Sequence, residues 1–143
     1  MSTQKKALAN APSDPASLFI AKEKAEEVEK ASVPSFLVQD RASMISAAVL
    51  CAGSGELIID TCACPGGKTA GALADAAGKA EAFAFELHES KLSLITKNLA
   101  RLGFSAEVAA LDARMGREEL FGTALRVICD VPCSGLGVLG KKP

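Results

Sequence analysis

The most constraining feature of the chain is a short apolar run, Leu57-Ile-Ile59, that ends in Asp60 and is followed by two adjacent glycines, Gly66-Gly67, and then a helix-compatible segment. A run of this length with no polar alternation suits a strand covered on both faces. Strands of that kind belong to parallel sheets, and parallel strands need a crossover, normally a helix, to reach one another.

The rest of the sequence repeats the unit. A helix is expected from about Lys68 to Ala77, stopped by Gly78, and a strand from Ala80 to Phe85. A second helix is expected over 89–102, with Leu92, Ile95, Leu99 and Leu102 on one face and Gly103 as its stop. Residues 106–111 read as a third strand, 114–121 as a short connecting helix and 125–129 as a fourth strand. This strand and helix alternation with short loops predicts an α/β fold. The sheet is doubly wound and mostly parallel, with helices on both faces.

Upstream, Asp14-Pro15 is a helix-start pair, and the Ala-, Glu- and Lys-rich stretch from Ala16 to Lys30 reads as a peripheral helix. Residues 1–33 are therefore expected to form a tail and that helix, and 34–143 the domain proper. Phe36-Leu-Val38 reads as extended, and Asp40 as the N-cap of a helix from Arg41 to about Ala52, closed by Gly53.

Composition narrows the function classes. At 49% apolar the chain can fill a core, and a net charge of −1 gives no bulk support for nucleic-acid binding, although a local basic face remains open. The first ten residues are polar, so no secretory leader is expected, and no apolar run reaches membrane-spanning length. The odd count of five cysteines argues against a disulfide framework and for the reducing cytoplasm. Four of them, Cys62, Cys64, Cys129 and Cys133, have spacings that match no zinc ribbon, so no metal is expected.

Ligands of an open parallel sheet sit at the carboxyl ends of its strands. The residues that close the four expected strands are Asp60, Glu86, Asp112 and Asp130, all carboxylates. Acids also commonly cap elements, so any one of them is equally consistent with a structural role. The Gly66-Gly67 turn and the free amides of the following helix would suit an anionic group. A triphosphate loop fails, because Cys62 stands where its first glycine is required. The dinucleotide spacing is absent as well, although a nucleotide-dependent oxidoreductase on the same fold stays open. S-adenosylmethionine, with a carboxylate for the amides and cationic and diol groups for acids, fits the pattern.

Asp130-Val-Pro-Cys-Ser-Gly135 places a thiol beside the last carboxylate. A small buried cysteine is the ordinary alternative. Covalent pyrimidine chemistry is the functional one. A thiolate added to carbon 6 of cytosine lets carbon 5 attack a methyl donor. The carbon 5 proton then leaves and the thiol is expelled. The base has to be unpaired or flipped out to reach such a site.

Taken together, Gln39-Asp40-Arg-Ala-Ser43, Asp60-Thr-Cys-Ala-Cys-Pro-Gly-Gly-Lys-Thr69, Phe85-Glu86-Leu-His-Glu89, Asp112-Ala-Arg114 and Asp130-Val-Pro-Cys-Ser-Gly-Leu-Gly-Val138 resemble the Sun/RsmB-type family of RNA cytosine-5 methyltransferases. The resemblance covers roughly residues 35–143 and implies the first part of a Rossmann-like class I methyltransferase sheet. It implies S-adenosylmethionine as cofactor and RNA, ribosomal RNA in particular, as partner. Cys62, Ala63, Cys64, Pro65, Gly66, Gly67 and Lys68 would contact the methionine part, Glu86 the ribose and Asp112 the adenine. Asp130 would lie between cofactor and target base as a cofactor-binding and catalytic residue, with Cys133 as the catalytic thiol. In the family the cysteine matching Cys133 is assigned to product release, and the nucleophile comes from a later Thr-Cys element that these 143 residues do not contain. A non-catalytic cofactor- or RNA-binding fragment is therefore the alternative expectation. Cys64 also departs from the family's usual alanine.

Overall fold

The computed structural model describes the backbone of residues 19–21 and all of residues 37–133. Two parallel strands come first, β1 (Phe19–Ala21) and β2 (Leu37–Gln39), with Phe19 opposite Leu37 and Ala21 opposite Gln39. The expected helix over 16–30 is thus overturned at residues 19–21, and its remainder lies outside the described residues. Local Ala, Glu and Lys propensity is a weak prior. Here the chain pairs with a distant segment instead.

Helix α1 (Arg41–Ala48) starts where expected, with the Asp40 side chain accepting from the Ala42 amide at 3.0 Å. It ends four residues early. Leu50 and Cys51 donate to carbonyls three residues back, and Cys51 turns left-handed at φ 49°. Gly53 instead donates its amide to the Glu56 carboxylate in the following loop.

The main sheet is wholly parallel. Its strands are β3 (Leu57–Asp60), β4 (Glu81–Glu86), β5 (Glu107–Ala110) and β6 (Arg126–Ile128), in spatial order β5-β4-β3-β6. Helix α2 (Gly67–Asp75) joins β3 to β4, and α3 (Leu92–Arg101) joins β4 to β5. The chain steps outward from β3 through β4 to β5, then returns to the other side of β3 as β6. The winding therefore reverses between β3 and β6, which is where a ligand crevice opens in such sheets.

Register assigns the two faces. Ile58, Ala82, Ala84 and Ile128 share one face and pack with Ala70, Leu73 and Ala74 of α2 and Ile95 and Leu99 of α3. The expected face of the second helix is the buried one, although its first turn, Glu89–Lys91, is a 3₁₀ turn. Successive right-handed crossovers in one direction put their helices on the same side. Accordingly α2 and α3 lie on this face, and α1 packs against α2.

The opposite face carries Ile59, Phe83, Phe85 and Val127. The β5–β6 connection crosses it, with a 3₁₀ turn at Glu118–Leu120 in place of the expected 114–121 helix. Gly116 and Gly122, both at positive φ, keep that segment from continuing as a helix. Its anchor is Arg117, whose guanidinium lies 5.5 Å from the Phe83 ring centre and 5.7 Å from that of Phe85 while pairing with Glu107 and Glu119. At the far end of the sheet Arg126 forms a two-pronged ion pair with Glu56, tying the start of β6 to the start of β3. Among the described residues no helix is long and apolar enough to cross a membrane.

Candidate active site

All the predicted carboxylates lie at the carboxyl edge of the sheet, but they do different things. Asp60, the last residue of β3, is 1% exposed. Its Oδ2 accepts from Thr69 Oγ1 at 2.7 Å and its Oδ1 from the Cys62 amide at 3.3 Å. Burial pushes its pKa up, opposed by the hydrogen bonds from Thr69 and Cys62 and by nearby Lys68. Asp60 is therefore a brace beneath the turn.

The turn itself, Thr61 to Gly66, crosses the strand ends and is tied to both neighbours of β3. Thr61 donates its amide to Ile128 of β6 at 3.0 Å, and Ala63 donates to Phe85 of β4 at 2.8 Å. Asn98 of α3 holds the Pro65 carbonyl at 2.9 Å. Gly66 serves as the backbone N-cap of α2 at φ 100°, a conformation that glycine adopts without strain. No side chain caps α2, which leaves its first-turn amides without a side-chain acceptor, and Gly67 and Lys68 of that turn line the crevice. A side chain at Gly67 would begin 3.1 Å from Gln39 Nε2 and 3.2 Å from Leu37 Cδ2, so any larger residue here would push these β2 side chains back by a few tenths of an ångström.

Cys62 and Cys64 are part-buried, and burial pushes both thiols up, away from the reactive thiolate form. Lys68 reaches across the crevice to Asp130, with Nζ and Oδ2 2.5 Å apart. Asp130 and Cys133 are exposed at the β6 end. Asp130 thus lines the crevice from the side opposite the buried turn, and Cys133 is not among the residues that line it.

Glu86 closes β4 with its side chain largely buried, accepting from the His88 amide at 3.2 Å and near Lys91 at 3.5 Å. Asp112 follows β5. The Arg114 guanidinium and backbone amide hold its carboxyl well below the usual range, at about 2. A cavity of about 100 Å³ opens between the turn and β6, lined by Leu37, Gln39, Ser43, Asp60, Lys68 and Asp130 among others. Glu86 and Asp112 stand outside it, along the open edge toward β5. All five cysteines are free, and no three His, Cys, Asp or Glu side chains among the described residues converge on a metal position.

Three features escaped the sequence reading. Gln39 and Ser43 sit in the cavity wall, although their motif was visible without a role. Asp60, at the floor of the crevice, is taken up by Thr69 and the Cys62 amide under the loop. Asn98 fastens the turn from a distant helix, for which no local signal exists.

The profile of the family described as 16S rRNA methyltransferase RsmB/F matches residues 47–143. The chain belongs to the RsmB/F family. Among its relatives, the ribosomal RNA small subunit methyltransferase B of Pseudomonas putida is 36% identical over 125 residues, which are 83% of this chain and 29% of that protein. The protein of the same name from Vibrio vulnificus is 40% identical over 107 residues, 74% of this chain and 25% of that protein. The solved structure of NSun6 from Pyrococcus horikoshii with SFG superposes with a TM-score of 0.68 at 33% identity, covering 76% of this chain and 28% of that one. The chain thus spans about a quarter of the length of the RsmB/F-family proteins it matches. The family match agrees with the resemblance read from the motifs and with the Rossmann-like parallel sheet.

Proposed function

We propose that this RsmB/F-family chain binds S-adenosylmethionine in the β3/β6 crevice and serves methyl transfer to carbon 5 of cytosine in RNA, with ribosomal RNA as the substrate. The observation that carries the reading is the braced glycine turn opposite the Lys68–Asp130 pair, at the point where the winding reverses. The similar NSun6 structure, solved with SFG, an S-adenosylmethionine analogue, supports it.

The residues present fit that cofactor. Uncapped first-turn amides of α2 suit its carboxylate. In this reading the turn from Cys62 through Ala63, Cys64, Pro65, Gly66 and Gly67 to Lys68 holds the methionine part. Glu86 takes the ribose hydroxyls, for which an acid at the end of the second strand is well placed. Asp112 stands beside the adenine, its oxygens keeping lone pairs beyond those used by Arg114. When bound, S-adenosylmethionine supplies the electrophilic methyl group. Asp130 separates the cofactor end from the target end, and Cys133 offers its exposed thiol to the covalent pyrimidine chemistry. The division into an N-terminal segment over 1–33 and a cofactor-binding unit over 34–143, working in the reducing cytoplasm, belongs to the same proposal. The five free thiols suit that compartment.

Calorimetric titration with S-adenosylmethionine and S-adenosylhomocysteine tests the reading. Saturable binding is expected, weakened about tenfold or more by Glu86→Ala, which removes hydrogen bonds to a charged acceptor. A folded chain that binds neither ligand contradicts it.

A further inference from the structure

The wall of the cavity contains a hydrogen-bond acceptor that the protein does not use. Gln39 closes β2, and its Nε2 donates to Ser43 Oγ at 2.9 Å, one turn into α1. That bond fixes the amide plane and leaves Oε1 with a defined direction. Oε1 is buried and has no hydrogen-bond partner among the described residues. A buried carbonyl without a donor is costly, and native structures rarely leave one so unless a ligand or water completes it.

The position of this oxygen narrows what the ligand is. The Gln39 amide lies next to Gly67, with Nε2 3.1 Å and Cδ 3.4 Å from where a side chain on Gly67 would begin. It therefore stands beside the uncapped first turn of α2, where a carboxylate would bind. In an α-amino acid the ammonium sits one carbon away from the carboxylate carbon, so its acceptor has to lie next to the carboxylate site. The two carboxylates in the cavity wall each have partners within the chain, Asp130 through Oδ2 alone. Asp60 holds Thr69 and the Cys62 amide, and Asp130 holds Lys68.

We infer that Gln39 Oε1 accepts a hydrogen bond from the α-ammonium of the amino-acid headgroup of the bound cofactor, with Ser43 as the residue that orients it. The inference rests on the S-adenosylmethionine reading and adds to it a residue that discriminates the amino-acid end. It also gives the segment Gln39-Asp40-Arg-Ala-Ser43 a task, with Asp40 starting the helix that brings Ser43 back to Gln39.

The test is calorimetric titration of the full chain and of Gln39→Leu and Gln39→Glu with S-adenosylhomocysteine and with its analogue lacking the α-amino group. The native chain is expected to prefer the amine-bearing ligand about tenfold or more, as a hydrogen bond to a charged donor implies. Gln39→Leu is expected to abolish the preference by weakening S-adenosylhomocysteine alone. Gln39→Glu, which keeps an acceptor and can take a hydrogen bond from Ser43, is expected to retain it. Equal weakening of both ligands by Gln39→Leu means a purely structural role and overturns the inference. So does an absence of preference in the native chain or in Gln39→Glu, a result that stands even where the leucine variant does not fold. If the native chain binds neither ligand, the cofactor reading itself fails, whereas equal affinity for both ligands removes only the role of Gln39.

Discussion

The turn after β3 and the segment after β6 form the two walls of one crevice, yet they are built in opposite ways. The turn is fastened to β6, β4 and α3 by backbone and side-chain bonds and braced from below by a buried acid. Residues 129–133 are exposed, and among the described residues Lys68–Asp130 is the ion pair that links them to the opposite wall. A wall that is already ordered adds no ordering cost when a ligand binds, and this suits a site that takes the same small cofactor in every cycle. In the proposed function, an open wall suits the side from which the RNA enters. The comparison therefore places stability at β3 and access at β6.

Substitutions can break that division. Asp60→Ala is expected to have the largest effect on stability, a loss of about 3 kcal/mol, because it strands the Thr69 hydroxyl and the Cys62 amide and leaves a small void. Urea unfolding measures it. Arg117→Ala should lower stability by a smaller amount, since it uncovers the Phe83 and Phe85 rings and frees two carboxylates on the sheet's second face. Cys133→Ala should move stability by no more than about 0.5 kcal/mol, as for a surface position. If Cys133→Ala destabilises as much as Asp60→Ala, the contrast between the walls is wrong.

Acid dependence sharpens the same contrast with opposite signs. The pKa of Asp60 is raised in the fold, so its contribution is fully present below the unfolded value of 3.8 and is lost as pH rises through the folded value. Asp60→Asn should therefore gain stability relative to the native chain as pH rises from about 4 toward neutrality. The pKa of Asp112 is lowered to about 2, so its contribution is present above 3.8 and is lost as pH falls through that lower value. Asp112→Asn should gain relative to the native chain on acidification from about pH 4 to 2. Unfolding curves across this range check both trends. Parallel trends in the two variants would contradict the assignment of one acid as a buried brace and the other as an exposed, arginine-held group.

What was legible in the sequence follows the same line. Periodicity located α2, α3 and the four strands of the main sheet, because burial against a neighbour imprints itself on the residue pattern. Ile95, Leu99 and Leu102 are the clearest instance. The motifs located the crevice, because Gly66 takes a positive φ that only glycine adopts cheaply and Gly67 lies in close contact with the Leu37 and Gln39 side chains of β2. Long-range pairing stayed hidden. Residues 19–21 sit within a stretch of helix-like composition, Ala16 to Lys30, and pair as a strand with residues 37–39. The orientation of side chains was equally illegible. Four acids at four strand ends look alike in sequence, and the fold makes Asp60 a brace, Glu86 a largely buried acceptor, Asp112 an arginine partner and Asp130 half of an ion pair across the crevice.

The most direct test of the central claim is an amide NMR titration of the chain with S-adenosylhomocysteine. The account predicts saturable shifts gathered along the carboxyl edge, at residues 61–68, 86–88 and 112–114, with little change at Glu56 and Arg126 on the opposite edge. No saturable binding, or shifts centred on the Glu56–Arg126 edge, would contradict it.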